Sequence, residues 1–226
     1  MTGDTRLFTL LQHGDSFFPG GLTSFSWGLE QLFEEKRVTD ADGLIRFIEA
    51  ELRFRWGSFD HAFLSASYRA AGDLPIVATV DRLCQVSMAA RELREGSIRA
   101  GQALLAVHAK LGTPGAQSYR ELTLRNEAKG HLSVVQGLLW RALGFSETET
   151  GEISAYSLVV GLAAAAIRLG LIGHLDAQKT IASMAAVVED IVTRPAPELD
   201  DAAAFTPATE IASMRHESAE QRLFAN

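Results

Sequence analysis

An all-α fold is predicted, and three observations predict it. Apolar residues recur at i, i+3, i+4 and i+7 along almost the whole chain, which lines them up on one face of a 3.6-residue helix. Period-two alternation is nearly absent, and no Asn-Gly or Asp-Gly hairpin joins two β-branched runs, so strands and hairpins lack their usual signals. No internal repeat and no linker-like stretch divides the helical part. The expectation is a single-domain multi-helix bundle of seven to ten helices over residues 1–193, followed by a C-terminal arm over residues 194–226.

The helices follow in order. Phe25, Leu29, Leu32 and Phe33 share a face, with Thr23 or Ser24 as the cap. Thr39 and Asp42 have capping-box spacing and open a helix with Leu44, Phe47, Ile48 and Leu52 inward. Phe59, Ala62, Phe63, Ala66 and Ala70 form a third stripe ended by Gly72. Pro75 suits the first turn of a fourth, where its missing N–H is no loss. That helix carries Val80, Leu83, Cys84 and Ser87 and is expected to run to Glu95, where Gly96 weakens it. Ile98, Gly101, Leu104, Leu105, His108 and Leu111 continue the pattern up to a loop at Gly112–Gln117. Helix resumes at Ser118, with Gly130 interrupting it before Val134, Val135, Leu138, Leu139 and Leu143. Ser146 and Glu149 form a capping-box pair for an Ala-rich helix reaching Leu169. Gly170 and Gly173 bracket a turn, and Ile181, Met184, Ala185, Val188 and Ile191 line the last helix of the body.

Composition excludes several function classes. The chain has 226 residues, 47% of them apolar, which is ample for a core. Its net charge of −7 argues against nucleic acid and against anionic membranes, since both need a basic face. The single cysteine, Cys84, rules out a disulfide within the chain and reads as a small buried residue. The opening MTGDTRLFTLLQHGD has no apolar stretch of signal-peptide length, and Ala155–Ile167 is too short for a membrane span. A soluble, cytoplasmic protein is expected.

Motifs for chemistry are missing. No two of the six histidines lie at i, i+3 or i+4, so no helix face offers a metal a pair of imidazoles. No GxxxxGK[ST] loop, strand-borne GxGxxG or GxSxG elbow occurs. Glu34 and Glu35 precede Lys36 and Arg37 and read as a solvated helix end. The expectation is no catalytic residue, no cofactor and no metal site.

Two stretches carry interaction signals instead. In Arg91–Leu105 one face holds Arg91, Glu95 and Ile98, and another holds Arg94, Ser97 and Gly101. A salt-bridged exposed face is the first reading there. A helix contact site, with small residues at 97 and 101 letting a backbone approach, is the second. The arm follows RPAPELDD, and its TPATEIASMRHESAEQRLFAN places Ile211, Met214, Leu223 and Phe224 among charges. Arg215 and Arg222 lie seven apart, as do His216 and Leu223, so a helical arm would put each pair on one stripe. An arm beyond a Pro-rich break has little of its own domain to pack on, which leaves those groups to a partner.

Five segments together resemble the urease accessory protein UreF family: LLQHGDSFFPGG, SFSWGLE, ELREGSIRAGQALL, AAIRLGLIGHLDAQ and ASMRHESAEQRLF, in that order. Two departures stand out. Gly20 and Leu22 replace an aliphatic residue and a glycine of the family turn, and His131-Leu132-Ser133 stands where His-His-Pro is common. The resemblance implies an all-α homodimer that joins the accessory protein UreD (UreH) and the GTPase UreG, the complex docking on apo-urease to deliver nickel. It implies UreD contacts at the N-terminal segment and at the arm, the latter through Met214, Arg215, His216, Arg222, Leu223 and Phe224. It implies contacts with UreG and the dimer mate at Arg94, Ser97, Gly101, Arg168 and Gln178. Two alternatives stay open. One is a helical-bundle enzyme using His108, His131 or Glu30, and the other a GTPase-activating role for Arg94 or Arg168.

Overall fold

The computed structural model describes residues 3–19, 25–217 and 223–224. The Pro-Gly-Gly departures at Gly20 and Leu22, the caps expected at Thr23 or Ser24, and Arg222 lie outside the described residues. The elements are α1 (Gly3–Gly14), α2 (Leu29–Glu34), α3 (Ala41–Glu51), a π-helical segment (Leu52–Asp60), α4 (His61–Ala70) and α5 (Leu74–Ser87). Then come α6 (Arg91–Leu111), α7 (Ala116–Leu124), α8 (Leu132–Ala142), α9 (Glu147–Arg168), α10 (His174–Ser183) and α11 (Ala185–Val192). A 3₁₀ turn (Leu199–Asp201) leads to α12 (Pro207–His216). The π segment joins α3 to α4 and Met184 joins α10 to α11, so the described residues make ten helical rods and no strand.

Local chemistry accounts for most boundaries. The Ser146–Glu149 capping box forms as expected, Ser146 Oγ accepting from Glu149 N and Glu149 from Ser146 N. Pro75 does sit in the first turn of α5. At α3 the cap is Asp40, accepting from Gly43 N at 2.7 Å, rather than the Thr39–Asp42 pair. The stripe from Phe25 becomes helical only at Leu29, because Trp27 and Gly28 are both left-handed, with φ of 51° and 85°. The expected run of the fourth helix to Glu95 is also corrected. It ends at Ser87, and α6 runs uninterrupted through Gly96. Arg94 stabilises that break by donating from Nη1 to the Met88 and Ala89 carbonyls at 2.8 and 3.2 Å.

The hub of the bundle is α9, which meets α1, α2, α3, α4, α8, α10 and α11. It is long and apolar enough to cross a bilayer, yet 61% of its most apolar window is buried inside the protein. It is a core helix. The closest pairing is α4 with α8, where Gly137 permits the approach. A Cβ there would lie 2.9 Å from Tyr68 N and 3.0 Å from Ser67 Cβ. Trp140, Tyr119, Phe63 and Phe145 are fully buried. Tyr68 Oη donates to the Phe145 carbonyl at 2.8 Å, and the buried Asp81 carboxylate accepts three successive N–H groups from Lys129, Gly130 and His131.

The first helix, α1, is absent from the sequence reading. Its Leu7, Phe8 and Leu11 share a face at helical spacing, but that face points out to solvent while Leu10 packs against the core. It is held by the Arg6–Glu149 ion pair and by His13, which is buried at its end.

Candidate functional site

The C-terminal segment packs on its own body, which corrects the expectation of an unpacked arm. Pro207 starts α12, whose inner face of Thr209, Ala212, Ser213 and His216 is buried against α2 and α6. The turn at Gly28 fits closely beneath it, since a Cβ there would come within 3.1 Å of the Thr209 carbonyl.

His216 anchors the helix. Its Nδ1 lies 2.6 Å from Glu92 Oε1 and its Nε2 2.9 Å from Glu30 Oε2, all three side chains being buried. Two ring nitrogens facing two carboxylates need a proton in each contact. Glu30 also accepts from the backbone N–H groups of Leu223 and Phe224, at 2.6 and 3.2 Å. One carboxylate thus ties α2 to α12 and to the chain beyond it. Phe224 is buried, with the Arg168 guanidinium 4.2 Å from its ring centre. Arg215 pairs with Glu35 and Arg91 with Glu217 at the rim. Arg215 holds the Glu35 carboxyl below its ordinary range.

These contacts sort the expected partner residues. Met214 is 50% exposed and Leu223 52%, and Arg215, Arg168 and Gln178 also face solvent. His216 and Phe224 face inward, so they position the segment and offer no outer surface. Ser97 and Gly101 do admit a close backbone, but it is the chain's own. Ser97 Oγ accepts from Leu132 N and meets His131 Nδ1, each at 3.2 Å. A Cβ on Gly101 would overlap the Gly130 carbonyl oxygen. Arg94 is half-buried and occupied with the Met88 and Ala89 carbonyls.

The groups named for a buried enzyme site do not converge. Glu30 meets His216, which also meets Glu92 near the start of α6, His131 meets Ser97 in the next turns, and His108 lies near its far end. Sixteen residues of helix separate 92 from 108, roughly 24 Å. Burial pushes the His131 imidazole down to about 4, and burial beside His13 does the same to His108. Both rings are neutral at pH 7. His108 Nδ1 meets Thr113 Oγ1 at 2.9 Å, and its ring lies among His13, Phe18 and Trp140.

An interior cavity of about 50 Å³ lies between the π segment, α8 and α9. Trp56 Nε1 donates to Ser154 Oγ at 3.1 Å, and Ser154 Oγ donates to Gln136 Oε1 at 2.7 Å. Arg55 faces Asp60, and Glu51 accepts from Thr209 of α12 at 2.5 Å. Burial pushes the Glu51 carboxyl up to about 7, against the pull of Arg55 and Thr209. Such a space holds about three or four waters and is far below the few hundred Å³ of a substrate pocket. Sequence reasoning missed Glu92 and Glu51, and singled out Glu30 only for a buried enzyme site. The available signal was an isolated glutamate on an otherwise apolar helix face, as with Glu51 beside Leu44, Phe47 and Ile48.

These features define an all-α bundle locked by buried polar contacts. The profile of the UreF family matches residues 38–185. The chain is 32% identical over 225 residues to the urease accessory protein UreF of Trichodesmium erythraeum (strain IMS101), covering 96% of this chain and 95% of that one. It is 30% identical over 213 residues to the protein of that name from Rhizobium meliloti (strain 1021), covering 92% and 90%. With that of Actinobacillus pleuropneumoniae the figures are 27% over 226 residues, covering 97% and 98%. The chain belongs to the UreF family.

Proposed function

We propose that the protein is a non-enzymatic assembly factor of urease maturation. In this reading it holds the accessory protein UreD (UreH) and the GTPase UreG together and brings them to apo-urease, nickel being the cargo. It works in the cytoplasm as a homodimer. The observation that carries the reading is family membership along nearly the full length of relatives named urease accessory proteins.

The terminal helix suits such a role because it is ordered before any partner arrives. Its inner face is fixed by His216 and Thr209, while Ile211 and Met214 project outward. A prepaid ordering entropy leaves more of the contact energy for affinity. Met214, Arg215 and Leu223, with Arg222, are the proposed UreD contacts; Arg168 and Gln178 are proposed for UreG and the second copy. Arg94 is left out as an arginine finger, since its donors serve the α5–α6 turn.

Point variants test this better than truncation, which would strip His216 from Glu30 and Glu92. Met214→Glu with Leu223→Glu should weaken UreD binding by at least about thirtyfold, the loss expected for two anchors, with an unchanged melting temperature. Wild-type affinity in the double variant would refute the assignment.

A further inference from the structure

We propose that the groove between the α2–α3 corner and the start of α12 docks an acidic, apolar-anchored segment of a urease-maturation partner. The inference rests on the assembly reading above. It concerns a different face from the outer side of α12.

The groove is built around two aromatic rings that the fold leaves in water. Phe205 is 77% exposed and Phe54 is 53% exposed. Neither sits on a loose loop. Phe205 N–H donates to the Phe54 carbonyl at 2.7 Å, and Ala203 N–H donates to the Ser58 carbonyl at 3.1 Å. Ser58 Oγ returns a bond to the Ala203 carbonyl at 2.7 Å. The extended chain before α12 is therefore laced to the π segment, and the lacing brings Phe205 to the groove that Phe54 also lines. Val38 and Phe47 form the buried floor.

Charge selects the occupant. Arg37 and Arg46 line the same groove, and both are exposed. Among the described residues neither guanidinium makes a hydrogen bond or an ion pair, and Arg37 acts on Glu35 only through space. By contrast Arg53, Arg91, Arg99, Arg125, Arg194 and Arg215 are each matched to a carboxylate. Glu35 is taken by Arg215, Asp40 caps α3, and Glu51 is buried on Thr209. Asp42 lies one turn before Arg46 without pairing to it. In a chain of net charge −7, two exposed guanidinium groups without an ion pair, in a groove with two exposed phenyl rings, are a local reversal of sign. Aromatic residues and arginine are also the types that dominate binding hot spots. The fitting ligand is a segment with carboxylates flanking a leucine or aromatic side chain. It would give the arginines charge-assisted bonds and cover the rings.

The test uses the full chain with purified UreD, UreG and apo-urease, each titrated separately. The variants are Phe205→Ser and the pair Arg37→Glu with Arg46→Glu. All three positions are solvent-facing, so thermal melting should be unchanged. The expected result is binding to one of the three partners at least about tenfold weaker. For the charge variant, the dependence of that binding on salt should be shallower as well. Arg37→Lys with Arg46→Lys should retain most of the affinity. Wild-type affinity of both variants for all three partners would overturn the proposal. So would a loss confined to self-association, measured by light scattering, because a second copy would then be the occupant. If the wild-type chain binds none of the three, the assembly reading falls and takes this inference with it.

Discussion

Replacing Glu51 with glutamine should make the protein more stable, and the gain should depend on pH. The carboxyl is buried between the interior cavity and α12, and burial raises it from 4.5 to about 7. Each factor of ten in acidity is worth roughly 1.4 kcal/mol, so the whole displacement comes to about 3 kcal/mol. The sign follows from the folded state holding the proton more tightly than the unfolded one. The stabilising contribution is complete below 4.5, fades as pH rises through the interval to 7, and is gone above it. Glutamine keeps an acceptor for the Thr209 hydroxyl and never ionises. The variant should therefore exceed the wild type by less than about 1 kcal/mol at pH 5 and by about 3 kcal/mol at pH 8. For a chain of this size, that upper gap corresponds to roughly 6–12 °C in melting temperature. Calorimetric or circular-dichroism melts of both proteins from pH 5 to 8.5 give the difference directly. The difference matters because the buried histidines tilt the absolute curves the other way. A gap between the two proteins that does not change with pH would refute the reasoning.

The histidine side has its own measurement. His108 is held down to about 4 by burial beside His13, so its contribution is present above 6.5 and lost as pH falls towards 4. Urea unfolding of His108→Gln between pH 4 and 7 should show a flatter acid limb than the wild type, by up to about 3 kcal/mol. Gly101→Ala should destabilise the fold by about 2–3 kcal/mol, because the new methyl group meets the Gly130 carbonyl oxygen and nearby backbone. Chemical denaturation at pH 7 reads that loss.

Legibility in the sequence followed the range of the interactions. Ser146 and Glu149 are three residues apart, and the box they form was readable as written. The ends of α6 and α9 and the start of α5 rest on glycine, proline and apolar spacing, which are likewise local. The break between α5 and α6 was not readable, because Arg94 satisfies carbonyls behind it and periodicity carries straight across. Gly96 looked like the weak point. It is a mid-helix position where Phe25 and Trp27 come close. The docking of α12 depends on His216 meeting Glu92 and Glu30, which lie 124 and 186 residues away. No window of sequence contains that set. Ser97 and Gly101 correctly announced a close approach but could not say whose backbone would make it.

The π-helical stretch implies a rule about chain length rather than residue type. Helical phase accumulates residue by residue, and the wider turn over Leu52–Asp60 sets the phase with which α4 leaves α3. Deleting a single position there would swing Phe63, Leu64 and Ser67 about the axis by roughly 100°, away from α8. Conservative exchanges within the stretch leave that phase untouched. Natural variation here should consequently run through substitutions, with the number of residues held constant.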